Sequence, residues 1–221
     1  MLPQPSANWL LVTHLGAAGI VLPLLATIAV ALRLAGQRPA LRAWVLAMAA
    51  GVTVVLATKV AFIGWGWGSA ALDFTGISGH TMLAASVFPL WLGWLLAGPG
   101  RRASPWGTVL GLAIAGAVGW SRLALGAHSP SEVVIGWLVG AAVSLVACAS
   151  LAAQERPRGW AGLVAGAVLL SALSPSVAGY LPTHKWEVRV ALALSGHARP
   201  YVRQDLHRQP KPDLAQAAGP G

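Results

Sequence analysis

Long apolar runs, interrupted by very little charge, constrain this chain more than any other feature. Within the first 150 residues the only acids are Asp73 and Glu132. A membrane-spanning helix needs about 20 consecutive apolar residues, within a range of roughly 17–25. Six segments read this way: Trp9–Leu32, Ala43–Ile63, Thr81–Ala97, Trp106–Trp120, Val133–Ala153 and Gly159–Pro182. The fourth is short and gains length by extending over Pro105 to Leu123. The expected fold is therefore all-α, a polytopic membrane helix bundle with about six transmembrane helices. Only 10% of the residues are charged, where a soluble domain would carry roughly a quarter.

Secondary signals agree. Eight of the eleven tryptophans, at 9, 44, 65, 67, 106, 120, 160 and 186, fall near segment ends, as an interfacial belt requires. Glycine and alanine are frequent within the spans and suit close helix contact in lipid. No internal repeat is visible, and the N-terminus lacks the basic region of a cleavable signal peptide. After Pro182 the sequence turns polar, basic and proline-bearing. The expected division is a membrane-embedded domain over 1–182 and a basic, partly disordered tail over 183–221. Within that tail, Trp186–His197 is weakly amphipathic and is expected to lie on the membrane surface.

The formal charge of +9 does not indicate nucleic acid, because the basic residues occupy short loops and the tail rather than a recognition element. Arg33, Arg38, Arg42, Arg101, Arg102, Arg156 and Arg158 lie in alternate loops, against only Lys59 and Arg122 in the opposite ones. Positive loops mark the cytoplasmic side. The polar clusters would then face outward, which in a bacterial inner membrane means the periplasm. The six basic residues of the tail, which would also lie outside, argue the other way. The single cysteine, Cys148, permits no internal disulfide, and no spacing suggests a metal site or cofactor.

Two polar islands carry the chemistry. Ser78-Gly79-His80 opens the third span. A helix N-terminus offers unpaired N–H groups and a positive dipole end, both suited to phosphate. Gly79 allows close approach, Ser78 adds a hydroxyl, and His80 can move a proton. The second island is Ser121-Arg122, then five residues to His128 and three more to Glu132. Here Ser129, Pro130 and Glu132 read as a capping box that starts the fifth span. Glu132 can equally accept a hydrogen bond from one ring nitrogen of His128, leaving the other free to attack. The two roles compete for one carboxylate. Lys59 and Arg122 add fixed positive charge, and the arginine fork matches phosphate oxygens. Asp73 reads as a turn residue, with orientation of His80 or Lys59 as the alternative. Trp65 and Trp67 read as interface anchors, or as a wall where a lipid headgroup enters.

At these residues the chain resembles the type 2 phosphatidic acid phosphatase superfamily, which also contains vanadium haloperoxidases. The resemblance rests on Ser78, Gly79 and His80, and on Ser121, Arg122 and His128, over roughly residues 55–145. It implies that His128 is a nucleophile forming a phosphohistidine and that His80 protonates the leaving oxygen. It also implies that Lys59, Ser78, Gly79 and Arg122 hold the phosphate, with no metal or cofactor. The chain departs from the family pattern twice. Glu132 stands where an aspartate is usual, and Gly66-Trp67 stands where the lysine block ends in Arg-Pro.

The implied function is hydrolysis of a phosphomonoester or pyrophosphate of a membrane lipid. Phosphatidic acid, phosphatidylglycerophosphate, a polyprenyl pyrophosphate and a lipid A phosphate are equal candidates. The alternatives are a lipid phosphotransferase using the same residues, or a non-catalytic protein that binds a lipid phosphate. The expected partners are a phosphorylated lipid and the bilayer.

Overall fold

The computed structural model describes residues 7–98, 102–152, 166 and 183–208. Those residues form helices joined by short connections, with one isolated β-bridge between Ser69 and Phe74 and no strand. In chain order the helices are α1 (Ala7–His14), α2 (Ala18–Leu34), α3 (Arg38–Trp65), α4 (Gly79–Leu95), α5 (Pro105–Ala124), α6 (Pro130–Ala149), α7 (Thr183–Ser195) and α8 (Arg203–Leu206). Among the described residues, four stretches are long and apolar enough to cross a membrane: Asn8–Leu34, Arg38–Trp65, Pro105–Ala124 and Pro130–Ala149. The expected sixth span and Trp160 lie outside the described residues.

The fold is built around α4. This helix has 17 residues, the lower limit for a span, and nearly all of it from Thr81 to Trp94 is buried. Its main neighbours are α5 and α6, with α2 and α3 completing the surround. Glycines at four-residue spacing make this possible, because they let backbones meet in lipid. A β-carbon at Gly111 would collide with the backbone of Phe88 and Pro89, and one at Gly140 with the carbonyl of Met82. The far end of the bundle is closed by Gln37, which is 3% exposed. Its amide donates to the Ala152 carbonyl at 3.0 Å and accepts from the Ala152 N–H at 2.9 Å.

Two expectations change in the folded chain. The first span is not one helix: α1 and α2 are separated at Leu15–Ala17. Gly16 sits there because its backbone approaches α4 so closely that a β-carbon would lie 2.8 Å from the His80 carbonyl. Trp44 is not in an interfacial belt. It is 2% exposed, and its indole N–H donates to the Ser86 carbonyl at 3.2 Å inside the bundle. By contrast Trp65, Trp67, Trp106, Trp120 and Trp186 are exposed.

The C-terminal stretch is docked on the bundle: α7 packs along α3, with Ala191 buried against the end of α3 beside Phe62 and Ile63. The chain then turns back across the bundle end. His197 Nδ1 lies 2.7 Å from the Gly64 carbonyl oxygen, and the Tyr201 N–H donates to the Ile63 carbonyl at 2.9 Å. Residues 183–208 thus form a strap over the end of the bundle that carries both polar islands.

Candidate active site

Four parts of the bundle and the strap meet around a cavity of about 440 Å³. The end of α3 supplies Lys59, Phe62 and Ile63, and the start of α4 supplies Gly79 and His80. Arg122 comes from the last turn of α5, and His128 from the connection to α6. The strap contributes His184, Glu187, Val188 and Pro200 to Arg203. Five of the seven residues expected at the site therefore border one cavity. Glu132 stands directly behind His128.

Ser78 is the exception. It is the N-cap of α4 but is fully buried, and its hydroxyl faces Thr81 Oγ1 at 2.9 Å rather than the cavity. Because that hydroxyl makes no cap bond, the first N–H groups of α4 are left with their positive dipole end toward Gly79. Such an end favours an anion.

Glu132 occupies the centre of the polar network. It is 0% exposed, so its charge must be met by fixed partners. Oε2 lies 2.6 Å from His128 Nδ1 and accepts the Ser129 N–H at 3.2 Å. Oε1 accepts the N–H and hydroxyl of Thr75 at 2.6 and 2.7 Å. The capping box with Ser129 is formed as well. Capping and histidine contact do not compete after all, because two carboxylate oxygens offer about four acceptor directions. An ionised Glu132 is acceptor-only, so His128 Nδ1 donates in this contact and Nε2 is the ring nitrogen not engaged by the carboxylate.

The remaining partner of Glu132 was absent from the sequence reading. Arg203 Nη2 lies 2.8 Å from each oxygen of Glu132, while Nη1 reaches the Asp73 carboxylate and carbonyl, both at 2.6 Å. Asp73 therefore touches neither His80 nor Lys59; it ties down the strap. It does so from a left-handed conformation, φ 48°, which aspartate tolerates better than most residues. His207 Nε2 approaches the same carboxylate at 2.7 Å. That hydrogen bond, together with the charge of Arg203, holds the Asp73 carboxyl below the usual range against some desolvation.

The two expected cations differ in their freedom. Lys59 Nζ is paired with Glu187 of the strap at 2.9 Å. Arg122 donates from Nη1 to the Thr13 hydroxyl at 2.9 Å, and its buried Nε has no partner among the described residues. Trp65 and Trp67 stack loosely on each other, 5.9 Å between centroids, and do not line the cavity. Gly66 ends α3 in a left-handed cap, φ 72°, with its N–H on the Phe62 carbonyl at 2.8 Å. The Tyr201 ring lies against it, 3.0 Å from where a β-carbon would be.

Glu187, Tyr201 and Arg203 were missed because sequence separation hides them. A signal did exist: a buried acid in an apolar bundle requires a permanent cation, and the stretch after Pro182 contains acids as well as bases.

Residues 62–156 match the PAP2 superfamily. The match takes in Ser78–His80 and Ser121–Glu132, but neither Lys59 nor the strap. Over 211 residues the chain is 35% identical to a Klebsiella pneumoniae protein described as an uncharacterized 22.5 kDa protein in the cps region. That alignment spans 91% of this chain and 99% of the relative. No solved structure matches. With both polar islands inside the matched segment, the chain belongs to the PAP2 superfamily, and the activity this membership supports is of the phosphatase type.

Proposed function

We propose that this protein hydrolyses the phosphomonoester or pyrophosphate of a membrane lipid through a phosphohistidine on His128. The observation that carries this reading is the 2.6 Å contact between His128 Nδ1 and the buried carboxylate of Glu132, with the same ring bordering the cavity that holds His80 and Arg122. An imidazole oriented by a carboxylate on one nitrogen presents the other as a nucleophile.

The steps follow from that arrangement. His128 Nε2 attacks phosphorus, and the bond from phosphorus to the lipid oxygen breaks as His80 delivers a proton to that oxygen. Water then attacks the phosphohistidine, its proton passing to His80, so that inorganic phosphate leaves and both histidines return to their starting states. Arg122, Lys59 and the N–H groups at the start of α4 face the equatorial oxygens, where charge accumulates. The unpartnered Nε of Arg122 is a donor awaiting an acceptor. Phosphate arriving at Lys59 displaces Glu187 or shares the ammonium with it. Apolar wall residues such as Phe62, Ile63 and Val188 suit the chain of a lipid next to its phosphate.

The topology we favour places this cavity outside the cytoplasm, facing the periplasm of a bacterial inner membrane. The arginine-bearing turn around Arg33, Arg38 and Arg42 stands at the start of α3, and the site stands at its end. Arg38 and Lys59 lie 21 residues apart along this helix, about 32 Å at 1.5 Å per residue. That distance matches the roughly 30 Å hydrocarbon core.

Phosphate release from a panel of phosphorylated lipids, compared with His128→Ala, tests the mechanism. Wild-type release with an acid-labile phosphoprotein intermediate, both absent in His128→Ala, is the expected outcome. Equal release by the two proteins would eliminate it. Transfer of phosphate to an added alcohol would identify phosphotransfer by the same residues.

A further inference from the structure

We propose that Arg203 is a positioning residue for this reaction: acting through Glu132, it holds the His128 ring in its attacking orientation and makes the C-terminal strap a working wall of the site. The inference rests on the phosphohistidine reading above. Its basis is the environment of Glu132. Of the groups that touch this buried carboxylate among the described residues, Thr75 and Ser129 are neutral and His128 changes charge with protonation. Arg203 alone brings permanent charge. Its Nη2 spans both carboxylate oxygens at 2.8 Å each and lies 3.1 Å from the Thr75 hydroxyl. Its Nη1 is fixed separately on Asp73. A guanidinium held between two carboxylates has little rotational freedom, so it limits the tilt of Glu132 and, through the 2.6 Å contact, of the imidazole.

The delivery of that guanidinium is built into the chain. The Tyr201 N–H is pinned to the Ile63 carbonyl, and the Val202 N–H donates to the Asp205 carboxylate at 3.1 Å, which starts α8 with Arg203 as its first residue. Tyr201 can seat there because position 66 is glycine. A larger residue would need φ 72° and would press on the Tyr201 ring. The glycine that replaces the family's arginine in the lysine block is thus the residue that lets another arginine arrive from 137 positions later, at 203.

The test compares Arg203→Ala, Arg203→Lys and His207→Ala in the full chain, by steady-state phosphate release and by vanadate affinity. Arg203→Ala is expected to lower kcat by about 10- to 100-fold, the range for partners that orient a functional imidazole. KM should stay within about threefold, since the residue acts on the transition state through His128. Arg203→Lys should recover only part of kcat, because one ammonium cannot hold Glu132 and Asp73 together as the two guanidinium nitrogens do. His207→Ala severs another strap tether without touching Glu132 and should stay within about twofold of wild type. In a Glu132→Gln background, Arg203→Ala should add almost nothing, as for residues that act as a unit. If Arg203→Ala fails to fold, Arg203→Lys decides the matter: lowered kcat at constant KM supports the proposal, and full activity overturns it. Unchanged kcat in Arg203→Ala, a loss confined to KM, or an equal loss in His207→Ala also overturns it, while the phosphatase reading survives. A wild-type protein that neither releases phosphate nor binds vanadate removes both.

Discussion

The middle of the bundle and its strapped end are held by opposite kinds of contact. Around α4 the packing is apolar and backbone-close, with Gly111 and Gly140 admitting the neighbouring helices and Trp44 buried beside them. At the strapped end ion pairs are added, Arg203 with Glu132 and Asp73 and Lys59 with Glu187, beside the hydrogen-bonding contact of His207 with Asp73. The difference teaches how this chain divides its labour. Lipid offers no hydrophobic drive between helices, so shape and small residues assemble the spans. Where water reaches the bundle end, charge pairs can be made and broken, and that is where a phosphate can be exchanged for a carboxylate.

Removing the carboxylate at the centre of the ionic end should have the largest effect. Glu132→Ala deprives His128 of its orienting partner and leaves Arg203 held by Asp73 alone. Phosphate release should fall by on the order of 10⁴-fold, by analogy with loss of the carboxylate that orients a catalytic imidazole. Thermal unfolding in detergent should show a loss of about 1–3 kcal/mol, the cost of leaving the donors of Thr75 and Ser129 without their acceptor.

Overpacking the apolar region comes next. Gly140→Leu forces a side chain into the Met82 carbonyl, a backbone atom that no rotamer change can move aside. A destabilisation at or above the upper end of the usual ~1–3 kcal/mol is expected, and the site should fail only as the fold fails. Wild-type melting of this variant would show that α4 is not clamped as described.

A smaller and opposite effect is expected at the Lys59–Glu187 pair. Glu187→Gln releases Lys59 from its carboxylate at 2.9 Å, so vanadate and phosphate should bind a few-fold more tightly. Stability should change by about 1 kcal/mol or less, as for partly exposed pairs. Weaker anion binding in Glu187→Gln would instead make the pair a device that positions Lys59.

The pH response of the strap is the most delicate comparison. The Asp73 carboxyl is held below its ordinary range by the hydrogen bond from His207 and then by Arg203. A depressed carboxyl stabilises the docked strap fully above its unfolded value, near pH 4, and that contribution is lost as pH falls through the folded value. Hydrogen exchange over residues 183–208 should therefore accelerate below about pH 4 while α4 stays protected. Asp73→Asn should exchange faster at neutral pH and lose this part of the pH dependence. Identical acid profiles in the two proteins would assign the effect elsewhere.

Much of this molecule can be read along the chain because its signals are local. The start of α6 is written in Ser129-Pro130-Ser131-Glu132, where a cap, a fixed φ and a returning carboxylate all lie within four residues. The polar islands were equally visible, since isolated ionisable groups between apolar spans are costly and stand out. Trp44 was misread by the same rule that assigned Trp65, Trp67, Trp106, Trp120 and Trp186, which are exposed. Position near a segment end indicates an interface unless a neighbouring helix supplies an acceptor, and only the fold brings the Ser86 carbonyl to it.

Sequence alone determined that the chain would be helical and membrane-crossing, and it marked out the two polar motifs that border one cavity, because hydropathy, capping and motif spacing act over a few to a few tens of residues. Tertiary structure decided which side chains complete the network: Thr13 behind Arg122, Thr75 and Arg203 around Glu132, and Glu187 on Lys59. These contacts join residues 57 to 128 positions apart. Electrostatic complementarity at a few ångströms leaves no periodic trace in the sequence and exists only once the helices have packed.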